Sequence, residues 1–312
     1  MNTAYDAVVE LSGSTCRVAV GSRTPLQWYA HTEQHVAADA GAALLRLGDE
    51  PPGQAVLDAV LHHLAATVRT ADVPIATLRV LVHSPAGLAV QAPLSATASA
   101  SDCRRALMQQ AALLTGARQA GALRLLMTEI SAPLPRGASQ QWYRGAIVPQ
   151  GARQWVDQWA DAIDANRSTV AYSAAHTCDA AAPRISGWHL GIGSYGAQTE
   201  YTLWYGTTCA YLYYTPLAQT AADRAYFAAL LLNRLRLADA GLDAAWAYGP
   251  DASTVPNMPP IAGVQPRLMQ LPRSEAMARL HNSRSEPSTS DAHPGHPLRW
   301  APLHSTLWAA AQ

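Results

Sequence analysis

One series of strand and helix signals occurs twice in this chain, and the duplication limits the folds it can adopt. In the first half, apolar runs on both sides of a Ser-Gly-Ser-Thr turn predict a β-hairpin over residues 5–20. A third strand is predicted over 26–31, and apolar residues at helical spacing predict a helix over 54–69. A short β-branched run then predicts a buried strand over 78–83.

The second half repeats this series. Three strands, a long helix and a final strand are predicted over 188–192, 197–204, 208–214, 216–237 and 244–248. The first two strands are joined by a predicted turn over 194–196, and the next two by the tight turn Tyr205-Gly206-Thr207.

The two halves are separated by additional elements. Strands are predicted over 88–93, 123–127 and 142–148, a helix runs to Leu114 with Ser101 as its cap, and another helix covers 150–166. Tight turns make neighbouring strands antiparallel, whereas a helical connection returns the chain to parallel pairing. The sequence therefore predicts an α/β fold with two lobes, each a mixed sheet with flanking helices.

The predicted boundaries follow from these elements. Lobe I is assigned to residues 1–182, with an inserted α+β subdomain at about 84–148, and lobe II to 183–312. A polar, proline-rich stretch at 283–297 is predicted to be an exposed loop. His293 and His296 in that loop do not predict a metal site, because prolines prevent a shared helical face.

Composition excludes several classes of function. The 22 basic residues balance 22 acidic ones, so no charge surplus points to nucleic acid. Every basic residue is arginine, which excludes mechanisms that need a lysine amine. No apolar run reaches the roughly 18 residues of a membrane-spanning helix, and no signal peptide is recognisable. We therefore expect a cytoplasmic protein without direct membrane insertion.

The first hairpin turn resembles a phosphate-binding turn. The run Glu10-Leu11-Ser12-Gly13-Ser14-Thr15-Cys16-Arg17 is similar to the Asp-hydrophobic-Gly-Ser-Ser pattern, with a basic residue shortly after, of the superfamily that includes actin and the sugar kinases. In that superfamily each half of the molecule begins with such a hairpin. The resemblance implies a two-lobed actin-like ATPase fold with the inserted subdomain in lobe I.

More narrowly, the chain resembles the PilM family of type IV pilus assembly, together with the related MshI proteins and the cytoplasmic domain of type II secretion protein L. The resembling segments cover nearly the full length and comprise the first hairpin, 78–94, 101–114, 142–166 and 299–311. The resemblance implies a cytoplasmic protein, peripheral to the inner membrane, that binds the N-terminal tail of a PilN-like partner. It also implies a groove for that tail, between about 8–31 and 78–148.

The residues that the resemblance assigns to nucleotide depart from the superfamily pattern. In these proteins, acidic residues hold Mg²⁺ through water, and small turn residues admit phosphate to backbone N–H groups. Glu10 replaces aspartate in the first unit, whereas Gly191 stands where the second acid is expected. The adenosine loop keeps Gly249, but Pro250 follows it and removes a backbone donor.

The candidate cofactor-binding residues are Glu10, Ser12, Gly13, Ser14, Thr15, Arg17, Gly191, Gly193, Ser194 and Gly249. No catalytic residue and no metal ligand is predicted. We expect no bound cofactor, with ATP and Mg²⁺ as the alternative.

These departures predict a non-catalytic scaffold of pilus or type II secretion assembly. An ATP-binding protein, weak ATPase or kinase of the same superfamily is the first alternative. A second alternative is an unrelated α/β protein in which the repeated hairpins have another origin. Self-association stays open.

Overall fold

The computed structural model describes residues 5–23, 26–45, 53–83, 88–115, 123–172, 187–195, 198–249, 252 and 257–268. The strands are β1 (Tyr5–Ser12), β2 (Thr15–Arg23), β3 (Leu26–His35), β4 (Ile75–Val82), β5 (Leu88–Ser95), β6 (Leu123–Glu129), β7 (Gln140–Pro149), β8 (Arg167–Tyr172), β9 (Trp188–Tyr195), β10 (Gln198–Tyr205), β11 (Thr208–Thr215), β12 (Ala244–Tyr248) and β13 (Arg267–Leu268). The helices are α1 (Ala40–Leu44), α2 (Gln54–Ala71), α3 (Ala100–Thr115), α4 (Gln150–Ala162) and α5 (Ala221–Arg234).

The strand order confirms the duplicated mixed sheet. The first sheet has the order β3-β2-β1-β4-β8, and the second has the order β11-β10-β9-β12-β13. In both sheets the first three strands of the unit are antiparallel, and the strand after the helix pairs in parallel with the first. Each unit is therefore the same mixed sheet, closed by a helical crossover.

A third sheet is formed by chain inserted between β4 and α4. Its three antiparallel strands have the order β5-β7-β6. The helix α3 packs on one face, where Leu107 and Ala111 meet Val90, Leu125 and Ile147. The boundaries predicted for the lobes and for the insertion stay predictions, because residues 84–87 and 173–186 lie outside the described ranges.

Three helices differ from the prediction at their ends. The helix α5 covers Ala221–Arg234 rather than 216–237, because Thr220 caps its start. Ser99 rather than Ser101 caps α3, because its hydroxyl accepts a hydrogen bond from the Asp102 backbone N–H at 3.2 Å. The helix α4 ends at Ala162, four residues before the predicted end at 166, and the chain turns through Asp164 in a left-handed conformation with φ of 54°.

Apolar residues form a core in each lobe. The core of lobe I joins residues of β1, β2 and β4 to α2 and α4, with Trp159 fully buried. The core of lobe II joins β9, β10 and β12 to α5, and it also takes in Trp142 and Leu134 from the insertion. Among the described residues no helix is long and apolar enough to cross a membrane. The predicted polar loop 283–297 and the resembling segment 299–311 lie outside the described residues.

Candidate functional site

Glu10 lies at the centre of the first sheet and is fully buried. It faces Arg17 across the first hairpin, and the Arg17 Nη1 atom lies 3.4 Å from the Glu10 Oε2 atom. The same guanidinium donates through Nε to the Glu33 carboxylate of β3 at 2.7 Å. One buried cation therefore holds carboxylates from two strands of lobe I.

His83 joins this acid to lobe II. It directly follows β4, and its backbone N–H donates to the Leu11 carbonyl at 3.2 Å, which extends the parallel pairing. Its Nε2 atom lies 2.6 Å from the Glu10 Oε1 atom, and its Nδ1 atom lies 3.4 Å from the Glu200 Oε2 atom. The imidazole, which is 3% exposed, thus spans the space between a carboxylate of each lobe.

The lobe II side of this contact is built by three strands. Glu200 of β10 is the cross-strand partner of Gly193, and Tyr248 of β12 is the partner of Gly193 on its other side. The Tyr248 hydroxyl donates to the Glu200 Oε1 atom at 2.9 Å. A methyl group at Gly193 would lie 2.5 Å from the Glu200 Cγ atom, so glycine is needed to admit these two side chains.

The electrostatics favour a charged His83. Burial alone would lower its pKa, but the Glu200 and Glu10 carboxylates more than offset burial and raise the pKa to about 9. The His83 ring also packs against Tyr195 of β9, with ring centroids 4.1 Å apart. For Arg17, Glu10 and Glu33 likewise outweigh burial and raise its pKa.

We call Glu10, Arg17, His83, Glu200 and Tyr248 the interlobe cluster. Each member is at most 4% exposed. A buried ion pair is maintained only if opposite charges and hydrogen bonds offset the loss of hydration. The cluster supplies opposite charges within the chain, and His83 and Tyr248 add hydrogen bonds to Glu10 and Glu200. The Glu10 Oε2 and Arg17 Nη1 atoms are paired by charge alone, because neither makes a hydrogen bond within the described residues. In the described part of the chain, no group of His, Cys, Asp and Glu side chains is arranged to hold a metal ion.

The turn of the first hairpin lies where the sequence predicts it. Gly13 has a left-handed φ of 57°, and Ser12, Ser14 and Thr15 are not buried. The segment after β3 supports the turn, because the Gly13 carbonyl accepts a hydrogen bond from the Ala40 backbone N–H at 3.0 Å. The turn and the charged pair Glu10–Arg17 are thus adjacent on one hairpin.

The prediction of a turn at Ser194 is wrong. Gly191, Gly193 and Ser194 all lie within β9, and the strand continues to Tyr195. Ser194 is fully buried and pairs with Thr199 of β10. The physical reason is that β10 pairs with β9 to its end, with Thr199 opposite Ser194 and Gln198 opposite Tyr195.

Gly249 lies close to Ser194 of β9, where the sequence predicts a turn. Its φ is 93°, which disfavours other residues, and a methyl group there would lie 2.5 Å from the Ser194 carbonyl oxygen. The structure thus brings Gly193, Ser194 and Gly249 together beside Tyr248. Pro250 lies outside the described residues.

Sequence reasoning missed His83, Glu200 and Tyr248 as members of the site. A signal was present in the short β-branched strand that ends at His83, because polar groups after a central strand mark the edge where sites form. The sequence also suggested that lobe II lacks an acid, since Gly191 replaces it. The structure supplies a buried acid from the neighbouring strand instead, as Glu200.

With this geometry, the fold is that of the actin-like ATPases. A protein of this fold and of unknown function from Bacteroides thetaiotaomicron is similar with a TM-score of 0.50 and 8% identity, over 81% of this chain and 86% of that chain. The chain is also similar to one in the PilM–PilN type IV pilus biogenesis complex, with a TM-score of 0.64 and 11% identity. That match covers 100% of this chain and 99% of the other.

The cytoplasmic domain of EpsL, an inner-membrane component of the Vibrio cholerae type II secretion system, is matched with a TM-score of 0.49. Its identity is 12%, over 97% of this chain and 95% of that chain. No protein-family model matches the sequence, and no curated protein matches it.

Proposed function

We propose that this chain is a non-catalytic cytoplasmic scaffold of type IV pilus or type II secretion assembly that binds the N-terminal tail of a PilN-like inner-membrane protein. The observation that carries the non-catalytic part is the engagement of Glu10 by His83 and Arg17. An acid that positions Mg²⁺ and water must present a free carboxylate to them. Here both carboxylate oxygens of Glu10 face protein cations inside a buried cluster.

A PilN-like partner is supported by the similarity of this chain to a chain in the structure of the PilM–PilN complex. That similarity covers 100% of this chain. Binding of a tail needs a groove and backbone or apolar contacts, and it needs no catalytic group. This requirement agrees with a chain whose candidate acids are engaged internally. Through such a partner, the protein would be peripheral to the inner membrane.

One face of the third sheet suits a bound tail. Leu126 of β6 is the cross-strand partner of Ala146, so it shares a face with Val148, which packs into the lobe I core. This face is turned toward the lobes, yet Leu126 is 57% exposed on an outer strand. An exposed apolar side chain beside a strand edge is suited to an extended peptide.

The test is a calorimetric titration with the N-terminal cytoplasmic tail of the single-span membrane protein encoded beside this chain. We expect saturable binding without nucleotide and none with a scrambled tail. Leu126→Asp should weaken binding about tenfold or more, because a charge replaces an apolar contact. The matched control is Leu113→Asp, since Leu113 is 85% exposed on α3, the helix on the opposite face of the third sheet.

Two results would contradict the proposal. Absence of binding to every such tail would exclude the partner class. Equal losses of tail affinity in Leu126→Asp and Leu113→Asp would exclude the lobe-facing side of the third sheet as the binding site.

ATP binding without turnover is a second candidate, favoured by one observation. Among the described residues, no heavy atom lies within 4 Å of where a methyl group on Gly13 would be, so these residues leave the backbone of the first turn open to an approaching group. A rise in the unfolding midpoint with MgATP would support this candidate.

A further inference from the structure

We propose that the chain's own side chains lock the two lobes in one relative orientation, through the interlobe cluster at one point and through the third sheet at another. This inference does not rest on partner binding. It concerns how the interlobe angle is set in the absence of any ligand.

The first point is the His83 bridge. His83 belongs to the lobe I sheet through its backbone bond to Leu11, whereas Glu200 and Tyr248 belong to the lobe II sheet. The ion pair that joins His83 to Glu200 is buried, with side-chain exposures of 2% and 5%. Parting the lobes would break this ion pair, and the hydration that both groups regain would offset only part of the lost attraction.

The second point is where the third sheet meets β11, the outer strand of lobe II. The Gln91 side chain donates through Nε2 to the Leu212 carbonyl at 2.8 Å and accepts through Oε1 from the Leu212 N–H at 3.1 Å. A primary amide thus reproduces the pair of bonds that a neighbouring strand would make. Arg144 adds a bond from Nη1 to the Cys209 carbonyl at 3.0 Å. We call these bonds the edge contact.

Apolar packing reinforces the edge contact. Trp142 of β7 packs in the lobe II core, with its ring centroid 6.1 Å from that of Tyr211. The same strand β7 runs directly into α4, and Val148 and Ala152 pack in the lobe I core. One continuous segment is therefore anchored in both cores, so it transmits the position of one lobe to the other.

Two separated contacts restrict rotation more than either alone. Rotation of the lobes about the His83 bridge would pull the edge contact apart. Rotation about the edge contact would separate His83 from Glu200. Domain closure that depends on a ligand needs an interface that is weak without it. Here the described interface is ionic at one point and both apolar and hydrogen-bonded at the other.

The test measures the distance between the lobes by double electron–electron resonance. Spin labels are placed at Ala55→Cys on α2 and Ala229→Cys on α5, which are both exposed. Cys178 is replaced by serine, and the buried Cys16, Cys103 and Cys209 are kept. We expect the full-length protein to give one narrow distance distribution, with and without MgATP.

The double variant His83→Gln/Gln91→Ala removes the imidazole from the interlobe cluster and the Gln91 amide from the edge contact. We expect a broader distribution or a displaced maximum while circular dichroism still shows a folded chain. If that variant does not fold, Glu200→Gln/Gln91→Ala is measured by the same criteria. The matched control is Asp6→Asn, which removes the charge from the 3.1 Å ion pair between buried Asp6 and half-buried Arg79 within lobe I and should leave the distribution unchanged.

The lock is refuted if the folded double variant keeps the wild-type distribution. It is also refuted if Asp6→Asn broadens the distribution as much as the double variant does, because the effect would then reflect general loosening. Neither outcome bears on tail binding, which the calorimetric titration measures separately.

Discussion

Replacement of His83 by glutamine should remove a pH dependence from the stability of this protein. In the native state the imidazolium lies between Glu10 and Glu200, with Tyr195 against its ring. In the unfolded chain the same imidazole is hydrated and titrates at its ordinary value. Between the unfolded and the native pKa of His83, the native state therefore retains a proton that the unfolded state releases. The free energy of unfolding must vary with pH across that interval.

The magnitude follows from the two pKa values. The pKa of His83 is raised from 6.5 to about 9, and one pKa unit corresponds to about 1.4 kcal/mol. Below pH 6.5 both states hold the proton, and the full contribution, on the order of 3 kcal/mol, is present. As pH rises through this interval only the native state holds the proton, so the contribution is lost progressively and is gone above the native pKa.

The assay is urea unfolding of the wild type and of His83→Gln at a series of pH values across this interval. We expect the wild type to lose about 1.4 kcal/mol per pH unit, and the difference between the two proteins to shrink from about 3 kcal/mol to near zero. Parallel pH profiles for both proteins would refute the reasoning. They would show that His83 does not carry the bridging charge in the native state.

Two further predictions concern packing and capping. Gly193→Ala should cost about 1–3 kcal/mol of unfolding free energy, because its methyl group would overlap Glu200. Its control is Gly151→Ala on α4, where a methyl group would meet no atom of the described residues within 4 Å and should not destabilise the protein. Equal losses of unfolding free energy in the two variants would contradict the packing argument. Thr220→Ala should cost about 1 kcal/mol in thermal unfolding, because Thr220 and Asp223 form a capping box on α5. Thr220→Ser should retain most of that stability, and a loss equal to that of the alanine variant would argue against the cap.

The duplicated fold could be predicted from the sequence because each hairpin carries its own local signal. Alternating apolar residues on both sides of Gly13 and Gly206 specify two antiparallel hairpins. The two glycines adopt left-handed φ values of 57° and 55°, respectively. The helical spacing in α2 and α5 then requires a crossover back to the first strand of each unit. These features act over short stretches of chain, so they are readable before any tertiary contact is known.

The site could not be predicted because it depends on register and on contacts between the halves. A turn centred on Tyr195, as the sequence predicted, would place Glu200 opposite Leu190. In the structure Glu200 lies opposite Gly193, and this odd shift moves its side chain to the other face of the sheet. The approach of His83 to Glu200 is a further, purely tertiary contact.

Glycine at position 191 cannot supply the acid that the superfamily pattern has there. Lobe II retains a carboxylate on the same face, supplied by Glu200. Glu200 accepts a hydrogen bond from Tyr248 and contacts His83, so its described partners are protein groups.

The most direct test of the account compares two ligands in one measurement, the midpoint of thermal unfolding of the wild-type chain. The account predicts that the tail of the PilN-like partner raises the midpoint and that millimolar MgATP leaves it unchanged. A ligand at 100 times its Kd stabilises a native protein by about 2.7 kcal/mol, which such a scan detects readily. A rise with MgATP and none with the tail would contradict the account.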